Sequence, residues 1–423
     1  MLDIRFLRER LDEVVAMMER RGQDPEPARR AGALDERRRQ LLAQVEERRH
    51  ERNVVSEEIA EMKRAREDAG AKIAEMRRVG DEIDGLDAQL RQVEQDLEQA
   101  WLLVPNMPEP EVLPVPAEGQ PVRSWGEPRE FSFEPLAHWD LGERLEILDF
   151  ERAAKIAGAR FTLFRGAGAR LERALINFML DLHTIQHGYT ELLPPFLVSA
   201  ETATGSGSLP RSEADMFRCR EGYYLIPTAE MPLASLHRDE ILGGDSLPLR
   251  YVAYTPCFRS EAGAAGRDTR GLIRQHQFDK VELFKFTAPE RSSAELESLV
   301  VDAEEVLQRL GLHYRVVLLP LQDIAPQSAK TYDIELWAPG VHRWLEVSSC
   351  SNCRDYQARR TNTRFRPEPR GKPEFVHTLN GSGVALARLV VTILEVYQNA
   401  DGTISLPEVL GPYLGGRLLI ESA

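Results

Sequence analysis

Between Met76 and Val104 the apolar positions Met76, Val79, Ile83, Leu86, Leu90, Val93, Leu97, Ala100 and Val104 recur at alternating steps of three and four, the heptad seam of a coiled coil. Upstream, Leu34, Leu41, Val45, Val55, Ile59 and Met62 keep helical spacing, with Arg48 and Arg52 breaking the stripe. From about residue 28 to 104 there is no Pro and little Gly, so the pattern predicts two long helices. Gly70, after Glu67-Asp68-Ala69, can take the left-handed conformation that ends a helix, which predicts an antiparallel hairpin. Two arms of about 30 residues, at 1.5 Å per residue, would be on the order of 45 Å long.

Past Val104 the texture changes. A Pro-rich stretch from Pro105 through Pro121 cannot continue a helix, and residues 105–125 read as a linker. Strand, turn and amphipathic-helix patterns then alternate over 126–423, predicting an α+β domain on an antiparallel sheet flanked by helices. One helix, Arg170 to His187, carries the stripe Leu171, Ala174, Leu175, Phe178, Met179 and Leu182. Leu249 to Glu261 reads as a strand, 262–272 as a loop and Ile273 to Phe286 as the returning strand. Strand alternation would put Arg259 and Glu261 on one side, and likewise Arg274, His276, Phe278, Lys280 and Glu282. A dry face does not tolerate that many charges, so a polar ligand or solvent is expected there.

Composition narrows the picture. Among 423 residues, 54 basic and 68 acidic side chains leave a net charge of -14, which argues against indiscriminate nucleic-acid binding. Any such contact must be local, and the arm offers one. Residues 29–66 carry eleven Arg or Lys against eight acids, whereas 67–104 carry four against ten. Those arginines read either as solvated coiled-coil faces paired with acids or as a phosphate-contacting surface. No 18-residue stretch lacks charge, so no membrane span is expected, and the first residues lack a secretory core. With only four cysteines, and Cys350 and Cys353 forming a lone CxxC read as ordinary thiols, a cytoplasmic address is expected.

Phe258-Arg259-Ser260-Glu261, a loop and Arg274-x-x-x-Phe278 resemble motif 2 of the class II aminoacyl-tRNA synthetases. Pro194 or Pro195 resembles the Pro of motif 1, and Asn380-Gly381-Ser382-Gly383 leading to Ala387-Arg388 resembles motif 3. Within the class, five blocks are similar to the seryl-tRNA synthetase family, in its bacterial form: Pro227 to Glu230, Gly271 to Phe278, Glu346 to Asn352, Gln357-Ala358-Arg359-Arg360 and His377 to Gly383. The resemblance spans nearly the whole chain, Met1-Leu2-Asp3-Ile4 and the arm included.

That resemblance implies a ligase that activates L-serine with ATP and transfers the seryl group to the 3′ end of tRNA(Ser), and of tRNA(Sec) where present. It implies Arg259 and Arg388 as catalytic cations on the α- and terminal phosphates. Serine binding falls to Thr228, Ala229, Glu230, Arg259, Glu282 and Ser382. ATP binding falls to Arg259, Ser260, Glu261, Arg274, Gln275, Phe278, Glu346, Val347, Ser348, Ser349 and Arg388, with Phe278 stacking on adenine and Glu346 and Ser349 holding Mg²⁺. In the family the arm, here 1–104 with the hairpin from about 28, contacts tRNA. Arg29, Arg30, Arg37, Arg38, Arg48, Arg49 and Arg52 become phosphate candidates, and Arg267 and Arg270 of the motif 2 loop would meet the acceptor end. The motif 1 helix implies a homodimer. An alternative is a paralogue that loads a small amino acid onto a non-tRNA acceptor; such a protein is expected to lack the long arm.

Overall fold

The computed structural model describes residues 1–262 and 270–422. They divide into two compact units, Leu2–Pro105 and a larger one from Asn106 that also takes in Met1.

In the first unit, helix α1 (Glu26–Ala65) and helix α2 (Gly70–Leu102) form the antiparallel pair. Leu41, Val45, Ile59, Val79, Ile83, Leu97 and Ala100 are buried between them, as the heptad spacing requires. The turn differs from expectation: Arg66 takes the left-handed conformation (φ 58°), while Gly70 begins α2, its amide held by Asp68 Oδ1 at 2.9 Å. At 40 residues α1 is also longer than expected, about 60 Å at the standard rise. The acidic second helix meets the basic first one in exposed ion pairs, Arg38–Glu94 and Arg49–Asp87 at 3.0 Å and Arg48–Glu82 at 3.3 Å.

The larger unit is built on eight strands. In chain order they are β1 (Gln120–Trp125), β2 (Thr190–Glu191), β3 (Leu249–Phe258), β4 (Gln277–Thr287), β5 (Tyr314–Leu318), β6 (Lys330–Ala338), β7 (Arg343–Arg354) and β8 (His377–Ala385). They lie side by side as β1-β5-β6-β7-β8-β4-β3-β2, antiparallel except for the parallel pair β2·β3. The stretch read as a linker thus contributes β1, paired to β5, and the Asn106 amide donates to the Pro326 carbonyl at 2.7 Å.

Three helices cover one face of the sheet: α3 (Gly166–Asp181), α6 (Ser292–Arg309) and α8 (Leu386–Val396). Between α3 and α6 in the chain come two short helices on the opposite side of the site, α4 (Ala200–Ser206) and α5 (Glu230–Ala234), and between α6 and α8 comes α7 (Tyr356–Thr361). Leu296, Leu299, Val300, Ala303 and Leu307 of α6, at helical spacing, enter the same core as Leu389, Val390, Ile393 and Leu394 of α8. Close approach requires Gly381: a Cβ there would stand 2.2 Å from Leu299 Cδ2.

The stripe Leu171, Ala174, Leu175, Phe178, Met179 and Leu182 is buried in this core. It is satisfied within one chain, so its periodicity is not a signature of a subunit contact.

Candidate active site

With helices on one face, the other face of β4, β8, β7 and β6 is left to form the floor of a cavity of about 680 Å³. Three strand segments supply its chemistry. On β4, Phe278, Lys280 and Glu282 alternate toward the cavity while Val281 and Leu283 enter the core. On β8, Asn380 and Ser382 line it, and Ser382 is the direct cross-strand partner of Glu282. On β7, Glu346 and Ser349 are three apart, a spacing that would put them on opposite faces of a regular strand. The register against β6 slips by one residue at Val347, and this bulge brings both to the same side.

Around Glu282 the cavity lining is polar. Glu282 is fully buried and lies 2.5 Å from Lys280 Nζ, which also donates to Thr228 Oγ1 at 2.7 Å. Its Oε1 has no hydrogen-bond partner among the described residues, so the pocket keeps an acceptor for a ligand donor. Glu230, at the start of α5, is buried nearby. Burial pushes its carboxyl up to about 7, the Glu282 charge adding to this and Lys280 and two Gln amides opposing it.

Arg259, Arg274 and Arg388 make another part of the lining cationic. Arg259 follows β3, and its amide donates to the His276 carbonyl at 2.9 Å, extending the β3–β4 pairing by one step. Its guanidinium lies 5.1 Å from the Phe278 ring centroid. Arg274 Nη1 pairs with Glu261 Oε2 at 2.9 Å, and Arg388, in the first turn of α8, pairs with Glu346 Oε2 at 2.5 Å. Arg388 and Arg259 hold the Glu346 carboxyl below its usual range against the opposing effect of burial, which is the largest influence on it.

Of the residues expected at the site, Thr228, Glu230, Arg259, Glu261, Arg274, Gln275, Phe278, Glu282, Glu346, Ser349, Ser382 and Arg388 line one cavity. The structure does not bring in four side chains. Ala229 and Val347 are core residues, Ser260 Oγ turns to the Ala214 carbonyl at 2.7 Å, and Ser348 Oγ to the Ser382 carbonyl at 2.5 Å. Arg259, Glu261, Arg274 and His276 do not share a face by strand alternation, because the strands end at Phe258 and begin at Gln277. Glu261 instead sits at φ 50°.

Sequence reasoning missed Asp333, which faces Ser349 across the β6–β7 ladder, and gave Lys280 no role. The alternation that found Phe278 and Glu282 already contained Lys280. Asp333 could be found only from the pairing of β6 with β7.

On the arm, the guanidinium groups of Arg29, Arg37, Arg38, Arg48 and Arg49 have partners in their own unit, whereas those of Arg30 and Arg52 have none among the described residues. Arg270 pairs with Asp140 at 3.4 Å and lies 4.4 Å from the Trp139 ring. Arg267 falls outside the described residues. Among the described residues no helix is long and apolar enough to cross a membrane.

Two family models match this chain. The seryl-tRNA synthetase N-terminal domain covers residues 1–108, and the tRNA synthetase class II core domain (G, H, P, S and T) covers 216–397. The serine–tRNA ligase of Desulforudis audaxviator is 60% identical over 98% of both chains, and that of Bacillus cereus (strain AH187) is 58% identical over 100% of both. The solved seryl-tRNA synthetase of Pyrococcus horikoshii complexed with ATP matches 100% of both chains with a TM-score of 0.94 at 37% identity. Sheet, cavity and matched core together define a class II aminoacyl-tRNA synthetase, an aminoacyl-tRNA ligase. Arm and catalytic unit alike then narrow the class: the chain belongs to the seryl-tRNA synthetase family. The arm and the full-length similarity leave the carrier-loading paralogue without support.

Proposed function

We propose that the cavity joins L-serine to ATP as seryl adenylate, and that the seryl group then passes to the 3′ end of tRNA(Ser), and of tRNA(Sec) where the source makes one. One observation carries this reading: the polar residues Glu282, Ser382 and Thr228 line the same cavity as Arg259, Phe278 and Arg388.

The chemistry follows from charge. A serine carboxylate attacking an α-phosphate brings two anions together, so their repulsion must be cancelled before an in-line geometry forms. Arg259, lining the same cavity as Glu282 and Phe278, offers a planar fork to the α-phosphate. Phe278 supplies the stacking face for adenine, and Glu261, held by Arg274, accepts from the adenine amino group. Arg388 meets the terminal phosphates in exchange for its contact with Glu346. The protein supplies position and charge, with no covalent nucleophile required.

Glu346 and Ser349 suit Mg²⁺, and Asp333 joins them: its buried Oδ1 has no hydrogen-bond partner, and burial with the Glu346 charge holds its carboxyl well above the usual range. Such hard oxygens fit a divalent ion that would neutralise phosphate charge when bound.

For serine, Thr228, Glu230 and Glu282 face the ammonium and Ser382 and Glu282 the hydroxyl. Alanine would leave these groups unpaired, and threonine is excluded by size.

The tRNA reading rests on the arm, where unpaired Arg30 and Arg52 are the first candidates for phosphates. Residues 1–104 bind tRNA and 126–423 catalyse. A homodimer is supported by the exposed apolar run of Ile185 (76%), Leu193 (78%) and Leu197 (48%) after α3. Four unbridged thiols fit a cytoplasmic setting.

The test is ATP–pyrophosphate exchange with serine, alanine or threonine, with and without Mg²⁺. Exchange should require the ion and prefer serine over alanine by about 10⁴-fold. Because Glu230 is neutral below about 7 and ionised above it, serine affinity should fall as pH drops through that value. Equal exchange with alanine would defeat the reading.

A further inference from the structure

The block Gln357-Ala358-Arg359-Arg360 is left without a part by the chemistry above, since none of the four lines the cavity. We infer that Gln357 is a positioning residue for serine recognition: its carboxamide holds the Glu230 carboxylate aimed at the amino-acid end of the cavity. The inference rests on the reading of Glu230 as a serine-binding group and extends it to a residue outside the pocket.

Gln357 is the second residue of helix α7 and is fully buried. Its Nε2 donates to Glu230 Oε1 at 2.7 Å and to the Ser206 carbonyl at 2.8 Å, and its Oε1 accepts from Thr378 Oγ1 at 2.7 Å. A carboxylate and a carbonyl only accept, so both must face the NH₂ group, and the Thr378 hydroxyl is left to donate to the oxygen. The amide therefore has one orientation, with both its hydrogens and its oxygen engaged.

Arg360, in the same helix, braces a neighbouring segment. Arg360 donates to the carbonyls of Thr204 and Leu209, both at 3.0 Å, and to Tyr356 Oη at 2.8 Å, fixing the turn after α4 that carries cavity residue Ser208. One short helix thus contacts both Glu230 and the segment that carries Ser208.

The groups facing Glu230 are Glu282 and Lys280 from β4, Cys353 from β7, Gln327 from the segment before β6, and Gln357. Gln327 Nε2 is 3.4 Å away, so the Gln357 amide is the short neutral donor to this carboxylate. Without it Glu230 keeps its burial and its repulsion from Glu282 but loses an interaction that favours the charged form. The ionised carboxylate is then reached only at higher pH.

The experiment measures ATP–pyrophosphate exchange from roughly pH 6 to 9, spanning the Glu230 transition, for the full chain and for Gln357→Met, Thr378→Val and Glu230→Gln. Gln357→Met should raise KM for serine about tenfold at neutral pH, leave kcat and KM for ATP within about threefold, and move the pH midpoint of kcat/KM for serine up by about one unit. Thr378→Val, which removes only the hydroxyl that orients the amide, should act in the same direction and less strongly. It carries the test should Gln357→Met fail to fold. The inference is overturned if KM for serine stays within about twofold with an unmoved midpoint, or if kcat and both KM values worsen together, as general loosening would produce. If Glu230→Gln itself leaves KM for serine unchanged, the reading of Glu230 fails. If Glu230→Gln raises KM and the other two variants do not, only the role of Gln357 fails.

Discussion

Replacing Arg259 with alanine is expected to slow serine-dependent ATP–pyrophosphate exchange by 10²- to 10³-fold, about 3 to 4 kcal/mol, the size of the loss when one preorganised donor to a transition-state charge is removed. The expectation comes from position. Arg259 stands one residue past β3, fixed by backbone pairing to His276, with its side chain directed by the Pro227 carbonyl at 3.4 Å and by the Phe278 ring. The guanidinium lines the cavity together with Glu282 and Arg388, so on the proposed reading its charge acts on both reacting anions. Arg259→Lys should recover only part of the loss, because an ammonium cannot make two parallel bonds to a phosphate. Exchange in Arg259→Ala within about threefold of the parent would remove this residue from the reaction.

The second large effect concerns the arm. Every described residue lining the cavity falls between Ser208 and Arg388, in the unit that begins at Asn106. Deleting 29–102 should therefore leave exchange within a few-fold while reducing tRNA charging by on the order of a hundredfold or more, since phosphate contacts supply much of a nucleic-acid affinity. Steady-state exchange and charging, measured on a variant whose folding is verified by its melting transition, separate the two steps. Parallel loss of both activities in a folded variant would show that adenylation depends on the arm.

The arm was legible in the sequence because a heptad repeat has one structural solution, and the β3–β4 hairpin because a strand facing two environments alternates. The turn of the arm was misplaced at Gly70. A left-handed residue favours glycine without requiring it, and Arg66 takes that conformation here. The Val347 bulge leaves no compositional mark, so only strand pairing explains how Glu346 and Ser349 share a face. Lys280 and Asp333 went unassigned because their partners lie on other strands. Gln357 contacts residues 127 and 151 positions earlier, a relation that no local spacing encodes. The apolar stripe of α3 illustrates the converse limit: helical periodicity shows that a face is covered, and here its own chain covers it.

Glu282, Ser382 and Thr228 share one cavity with Arg259, Phe278 and Arg388, and on the proposed reading they together supply serine to tRNA. Charging of purified serine-acceptor tRNA with labelled serine, ATP and Mg²⁺ tests it most directly. ATP-dependent acid-precipitable serine is expected on that tRNA, and none with labelled alanine or threonine. Failure to charge the serine acceptor by a folded protein, or equal charging with alanine, would contradict it.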